Sequence, residues 1–254
     1  MMYSLGDLWD KTKRYSKFTK DEWIGIFITV LVFGFIISFK EWGPGDQFDL
    51  TYGLKNLFSA ILISFVIVVL HHMAQRIAGL SCGMRGEHKI WWVGIGLGIV
   101  LAIVSRGNIW FLAASGVYFH HLQMHRLGYW RYGIGMKGVG GSTFAGPCAV
   151  IILVTFIKSL ELYVPFIPLN PLMVQKMFII GWGFALWNLI PIPPLDGSRI
   201  MFSSRLAYAF LFGFIAGYFV LVYAFGIYSY IWALVFGGIA WLVFYIVFET
   251  KVIN

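Results

Sequence analysis

Two adjacent histidines and a glutamine, His71, His72 and Gln75, lie at the end of an apolar stretch that begins near Leu57. In a helix, His71 and Gln75 are one turn apart on the same face, which is the spacing at which a helix offers two ligands to one metal ion. His72 points about 100° away from that face. Polar groups at membrane depth are costly and usually mark a pathway or a site. The spacing therefore predicts a polar or metal-binding site on this helix.

A second polar feature, Asp196, closes a proline-rich break after another apolar stretch. The break contains Pro191, Pro193 and Pro194, which cannot continue a helix and which free backbone carbonyls. A buried carboxylate at this place needs a cation or a metal as its partner. Because both apolar stretches are predicted to run in the same direction, we expect Asp196 at the same depth as His71. A His–His–carboxylate zinc site with an open position for water would need such an arrangement.

The composition indicates a polytopic membrane protein. Of the 254 residues, 59% are hydrophobic and only 12% are charged, and the mean hydropathy is +0.80, whereas soluble domains have roughly 25% charged residues. We attribute the net charge of +8 to loop Lys and Arg that set topology, since no DNA- or RNA-binding motif accompanies it. Cys82 and Cys148 have no CxxC partner, so no disulfide framework or zinc knuckle is indicated.

The apolar stretches predict an all-α polytopic membrane protein with about six transmembrane helices. The predicted spans cover residues 23–39, 57–80, 143–160, 172–190, 206–225 and 230–248. Residues 1–22 are expected to form a basic cytoplasmic segment, 23–248 the transmembrane domain and 249–254 a cytoplasmic tail, because the positive-inside rule places both termini in the cytoplasm of a multi-pass cell-membrane protein.

Two short signals sharpen this topology. Thr19 and Glu22 have the spacing of a capping box, which predicts that the first helix begins there. Arg76 follows His71 and Gln75 near the end of the second predicted span, where we expect it on the cytoplasmic side of the membrane.

The stretch 90–119, between the second and third predicted spans, has two interpretations. It is either a short helical hairpin or a set of embedded strands with a re-entrant loop. Gly94, Gly96 and Gly98 interrupt its first half at alternate positions, and such glycines weaken a helix and suit crowded backbone. The sequence therefore favours a re-entrant or β-hairpin insert at this point.

Together these motifs resemble the site-2 protease family, the intramembrane zinc metalloproteases of peptidase family M50, and especially its short archaeal members. The resemblance covers roughly residues 15–248. One set of residues is close to the family's Asn–Pro–Asp–Gly motif, namely Asn188, Pro191, Pro194, Leu195, Asp196 and Gly197. Gly146 and Pro147, after Ala145, match its Ala-Gly-Pro turn into the next core helix, and residues 111–118 resemble the strand before that turn.

The family's signature helix reads His-Glu-x-x-His, in which both histidines and the Asp bind zinc and the Glu is the general base. The matching stretch keeps the first ligand as His71, but it has His72 at the general-base position and Gln75 at the second ligand position. The resemblance thus implies His71, Gln75 and Asp196 at the metal positions and His72 at the catalytic position. A neutral amide is a poor zinc ligand, and loss of a general base typically costs ~10²–10⁴-fold in rate.

Three functions remain open at this point. A non-proteolytic relative would keep the fold and bind a transmembrane helix or a partner protein. An active, atypical zinc metalloprotease would cleave transmembrane segments with His71, Asp196 and a third ligand such as His72 or Gln75. A structural subunit of a larger membrane complex is the third. Zinc is the cofactor that the resemblance implies, and the expected partners are the lipid bilayer and a transmembrane protein, with no nucleic acid.

Three further histidines, His120, His121 and His125, lie in a basic stretch after residue 119. His121 and His125 have helical i, i+4 spacing and would form a replacement metal pair if the segment were helical. We favour loop histidines instead, because no carboxylate accompanies them in the sequence.

Overall fold

The computed structural model describes residues 5–43, 47–122, 134–164, 166 and 168–250. These residues are mostly helical, and five of the described helices are long and apolar enough to cross a membrane. The chain divides into two compact units at Ile134–Gly135. The boundaries at residues 22 and 248 that the sequence suggests remain predictions.

The described part of the first unit is helical with one pair of strands. Its elements, in chain order, are α1 (Leu5–Tyr15), α2 (Lys20–Ser38), α3 (Leu50–Ser81), β1 (Met84–Ile90), α4 (Trp92–Val104) and β2 (Ser115–His121).

The starts of α2 and α3 are fixed by side chains. The capping box predicted at the start of α2 is confirmed: the Glu22 N–H donates to the Thr19 hydroxyl at 3.3 Å, and the Thr19 N–H donates to the Glu22 carboxylate at 2.8 Å. The Asp49 carboxylate accepts from the backbone N–H groups of Thr51 and Tyr52. Because this cap satisfies the first turn, α3 begins well before Leu57 and is longer than the sequence predicted.

The described part of the insert after α3 combines one helix with two strands. β1 and β2 pair antiparallel, but α4 lies between them in the chain, so they are not joined by a tight hairpin turn. The strand-like backbone expected around Gly94 and Gly98 is wrong, because this segment is the helix α4. A Cβ on Gly94 would lie 2.4 Å from the Ala113 carbonyl oxygen, and one on Gly98 would lie 3.1 Å from that of Phe111. These glycines therefore serve the close approach of a helix to a neighbouring chain segment.

The described part of the second unit is helical. Its elements are α5 (Met136–Tyr163), α6 (Pro171–Asn188), α7 (Asp196–Ser203), α8 (Arg205–Phe225), α9 (Tyr230–Phe244) and a π-helical turn (Tyr245–Glu249). The Asn170 side chain caps α6, which ends at Asn188 before the prolines, as the sequence predicts. The Ser204 hydroxyl caps α8, which ends at Gly226 in the left-handed conformation with φ 64°.

Small residues join α8 to α9. A Cβ on Gly213 would lie 2.4 Å from the Ala240 Cβ, and one on Gly217 would lie 2.6 Å from the Phe236 Cβ. The absence of side chains at these positions lets the two helices pack closely, as is common between membrane helices. Only 11% of the most apolar 18-residue window of Tyr230–Glu249, which comprises α9 and the π-helical turn after it, is buried within the protein. The rest of this segment presents an apolar outer surface.

Candidate functional site

A group of buried polar side chains lies in the first unit, where α2 begins, α3 approaches its end and the two strands pass. We call it the polar cluster. Each of its members is at most 5% exposed, and they are Glu22, His71, His72, Gln75, Arg76, His88 and Ser115. The cluster thus contains all three residues of α3 that the sequence singles out, together with others from α2, β1 and β2.

His72, which the resemblance assigns to the general-base position, contacts both strands. Its Nε2 lies 3.1 Å from the Ser115 hydroxyl of β2. Its ring meets the His88 ring of β1 edge-on, with the centroids 4.4 Å apart, and the His71 ring in the same manner at 5.1 Å. His72 is therefore a packed member of the protein interior.

Glu22 is a buried carboxylate of the polar cluster, and three donors occupy it. Its Oε1 accepts from the Arg76 guanidinium in a buried ion pair and from the His88 backbone N–H at 2.9 Å. Its Oε2 accepts from the Thr19 backbone N–H at 2.8 Å. The residue that the sequence predicts only as a helix cap thus also joins α2 to α3 and to β1.

Arg76, expected on the cytoplasmic side of the membrane, is buried inside the protein, and the side on which it lies stays a prediction. Its side chain is buried, donates to the Ser16 carbonyl at 3.2 Å and to the Lys17 carbonyl at 2.7 Å, and lies over the Phe18 ring at 4.3 Å from the centroid. Burial of a guanidinium requires such partners. The sequence does carry a signal, because Arg76 stands one helical turn after His72 and on the same face.

His88 completes the polar cluster from β1, and sequence reasoning missed it. Neither of its ring nitrogens has a hydrogen-bond partner among the described residues. Gly25 of α2 lies against the ring, since a Cβ there would be 3.3 Å from the His88 Cε1. Burial lowers the pKa of His88 to about 4, although the neighbouring Glu22 carboxylate acts in the opposite direction. The imidazole is therefore neutral at physiological pH.

The motif around Asp196 forms a tight turn in the second unit. Asp196 is buried and is the first residue of α7. A Cβ on Gly197 would lie only 1.9 Å from the Leu189 carbonyl oxygen, so only glycine fits here. The Tyr208 hydroxyl donates to the same carbonyl at 3.0 Å, and the Pro193–Pro194 peptide bond is cis. These contacts bring the end of α6 close to the start of α7.

The other motif residues stabilise the ends of helices or lie inside them. The Asn188 side-chain amide donates to the Phe184 carbonyl at 2.8 Å, in the last turn of α6. The Leu195 carbonyl accepts from the Ser198 hydroxyl at 2.7 Å, while Pro191 is exposed. Gly146 and Pro147 are buried inside α5, which begins at Met136. The expectation that the Ala-Gly-Pro residues form a turn before a helix is therefore wrong.

The donors on α3 do not fit a resident zinc ion. Among the described residues, no group of three or more His, Cys, Asp or Glu side chains is arranged to hold a metal. On α3 itself, His71 is a good ligand, but Gln75 offers only a neutral amide. Asp196 belongs to the second unit.

Two of the three histidines in the basic stretch lie in the strand β2. His120 and His121 are the last residues of β2, so the helical pair of His121 with His125 and the loop interpretation are both wrong for them. His125 itself lies outside the described residues. A carboxylate is also present, because the His120 Nε2 lies 3.6 Å from the Glu87 carboxylate of β1. The two strands place side chains together that the sequence separates.

Comparison with known proteins adds no family to these features. No protein-family model, curated protein or solved structure matches this chain. What the chain does has to be inferred from the polar cluster and from the turn before Asp196.

Proposed function

We propose that this chain is a multi-pass membrane protein of the site-2 protease type that has lost proteolysis and binds a transmembrane helix or a partner protein. In this proposal the chain crosses the membrane about six times, α6 being a span in addition to the five helices that are long and apolar enough to cross, and both termini are cytoplasmic. Support comes from the Asn188–Gly197 motif, from His71 on α3 and from the basic residues near the N-terminus.

The observation that supports the loss of proteolysis concerns the two side chains of the polar cluster that could act as a general base, His72 and Glu22. Both are buried and have contacts with neighbouring residues. A metal-bound water needs a base that accepts its proton, usually a carboxylate. His72, at that position, is neighboured by the Ser115 hydroxyl and by the His88 ring. Glu22 is a carboxylate, but its oxygens already accept from three donors. The burial of His72 and the three donors to Glu22 support the loss of a general base.

The binding of an apolar segment is supported by a groove on α8 and α9. The groove has a volume of about 600 Å³. Its lining is almost entirely apolar and includes Phe212 and Val220 of α8 and Phe236 and Val243 of α9. Such a surface offers dispersion contacts and few polar ones, which suits an apolar helix in a membrane.

The first experiment measures zinc content and cleavage. The full chain is purified in detergent without chelators, and zinc is determined by elemental analysis. We expect well below one tenth of an equivalent of zinc, because the donors on α3 do not form a zinc site. An intact structural or catalytic site would instead hold about one ion tightly. We also expect no chelator-sensitive cleavage of single-span substrates that contain helix-destabilising residues. About one equivalent of zinc together with such cleavage would overturn the proposal in favour of the active, atypical metalloprotease.

A second experiment tests the resemblance itself by restoring the motif. The double variant His72→Glu/Gln75→His restores the signature of the family on α3 and is expected to acquire zinc. The single variant His72→Glu is the matched control and should remain metal-poor. A folded double variant that takes up no zinc would contradict the resemblance.

The binding part of the proposal is tested separately. Fluorescence anisotropy of a labelled single-span helix is measured in liposomes that contain the full chain. Saturable binding that Val220→Gln weakens is expected if the groove on α8 and α9 is used, because Val220 is an exposed residue of its lining. The matched control Val235→Gln, an exposed residue of α9 outside the lining, should bind normally. Unsaturable partitioning would contradict helix binding.

A further inference from the structure

The N-terminal helix α1 and the linker to α2 form a basic surface beside the first candidate span. Residues 5–20 carry five basic side chains against two acidic ones, which leaves a surplus of three positive charges. The basic residues are Lys11, Lys13, Arg14, Lys17 and Lys20. Lys11 is paired with Asp7 at 2.7 Å, whereas Lys13, Arg14, Lys17 and Lys20 are exposed. The free positive charge therefore lies on the outer side of this segment.

The helix α1 has two different faces. Leu8, Thr12 and Tyr15 recur at helical spacing and are half-buried, and α1 packs against α3. Trp9 is 62% exposed at the edge of the outer face, and the Lys13 ammonium lies 5.1 Å from the centre of its ring. Trp prefers the boundary between lipid and water, and a basic residue next to it can reach headgroups. The outer face thus has the chemistry of a membrane surface.

The linker between α1 and α2 is held at a fixed place. It is only four residues long and leads directly into α2, a candidate span. Arg76 of α3, a second candidate span, donates to the carbonyls of Ser16 and Lys17 and lies over the Phe18 ring. A short linker that is bonded to one span and continuous with another has to lie at the boundary of the membrane, whichever side of the bilayer faces the cytoplasm.

We propose that α1 and its linker bind the headgroups of anionic phospholipids. Lys13, Arg14 and Lys17 contact the lipid phosphates, and Trp9 enters the interface between headgroups and acyl chains. Each basic residue near an anionic membrane strengthens binding by about fivefold. Removal of three such residues is therefore expected to weaken the interaction on the order of 100-fold. This inference does not depend on whether the chain cleaves or binds other proteins.

The test uses hydrogen exchange of the full chain in lipid nanodiscs. One set of discs contains phosphatidylcholine alone, and the other also contains phosphatidylglycerol. The test variant is Lys13→Gln/Arg14→Gln/Lys17→Gln. The matched control is Lys40→Gln/Lys55→Gln/Arg106→Gln, which removes the same charge near the other end of α2, where Lys40 bonds to Asn108.

Phosphatidylglycerol is expected to slow exchange of the α1 amides several-fold, and high salt is expected to abolish this effect because it screens exposed charges. The test variant should lose the slowing and the control variant should keep it. Glycerol phosphate added to phosphatidylcholine discs should have no effect, which separates a membrane surface from a free phosphate. Equal exchange in both kinds of disc, or equal loss in both variants, would overturn the proposal.

Discussion

Replacing Arg76 by Met removes the cation from the buried pair with Glu22. Breaking a buried pair from one side typically costs about 3–5 kcal/mol, because the other charge is left without its partner. Here the Glu22 carboxylate keeps two backbone donors, from Thr19 and His88, so we expect a value near the lower limit, about 3 kcal/mol. For a chain of this size that corresponds to a fall in Tm of roughly 6–12 °C.

The assay is thermal unfolding of the purified chain in detergent, applied to a double-mutant cycle. The cycle consists of Arg76→Met, Glu22→Gln and the double variant. Because both partners are absent in the double variant, it should be less destabilised than the sum of the two single variants, by about 2 kcal/mol. The control Lys11→Met breaks the more exposed pair with Asp7, which contributes at most about 1 kcal/mol.

Two results would refute this reasoning. One is a fall in Tm for Arg76→Met no larger than that for Lys11→Met. The other is strict additivity in the cycle, which would mean that Glu22 and Arg76 do not stabilise one another. Either result would mean that Glu22 and Arg76 contribute to stability independently of one another.

Three further predictions concern His88, Gly197 and Tyr208. The pKa of His88 in the folded chain, about 4, is below the value near 6.5 of an unfolded histidine. The folded state is therefore destabilised by up to about 3 kcal/mol as the pH drops from 6.5 to 4, whereas its stability does not depend on His88 above pH 6.5. His88→Phe should flatten the pH profile of Tm over this range. Gly197→Ala forces a Cβ onto the Leu189 carbonyl and should lower the free energy of unfolding by about 3 kcal/mol or more. The control Gly141→Ala, with open space around it in α5, should leave the Tm unchanged or raise it slightly. Tyr208→Phe leaves the Leu189 carbonyl without a buried donor and should lower stability by about 1–2 kcal/mol in the same unfolding assay; no change would show that the hydroxyl is dispensable.

Other charged or titratable groups that face His88 can also contribute to this pH profile. They belong to the polar cluster and are Glu22, His71, His72 and Arg76. A slope that persists in His88→Phe would assign the pH dependence to one of these groups.

The sequence predicts the helical elements well where local chemistry determines them. The capping box at Thr19 and Glu22, the end of α6 before Pro191 and the start of α9 at Tyr230 are all visible in the printed residues. These features depend on contacts within a few positions of one another. Hydropathy alone predicts later starts for α3 and α5 than the structure has, because the first turns of these helices are less apolar than the residues that follow.

The polar cluster could be predicted only in part. Hydropathy marks His71, His72 and Gln75 because they interrupt an apolar helix. It does not reveal that Arg76 is buried, because the partner that permits its burial, Glu22, lies 54 residues earlier. His88 has no signal, since a histidine in a short mixed strand is ordinary. Contacts that connect distant parts of the chain depend on the tertiary fold, which periodicity does not report.

Glycines at alternate positions, here 94, 96 and 98, are compatible with a strand and also with a closely packed helix. Glycine weakens an isolated helix, which favours a strand. In α4 the loss is offset by close packing, since Gly94 and Gly98 face neighbouring backbone and Gly96 faces open space. Two of the three glycines are thus explained by packing, and nothing in the structure explains Gly96.

The ion pair of Glu22 with Arg76 also has a consequence for the order in which the chain is made. Glu22 leaves the ribosome 54 residues before Arg76 and 66 residues before the backbone N–H of His88. Until both have been synthesised, α2, the first candidate span, carries an acidic side chain without its cation. A nascent chain that stops before α3 therefore lacks the group that neutralises its first hydrophobic helix, and we expect that helix to settle into the bilayer only when α3 arrives beside it.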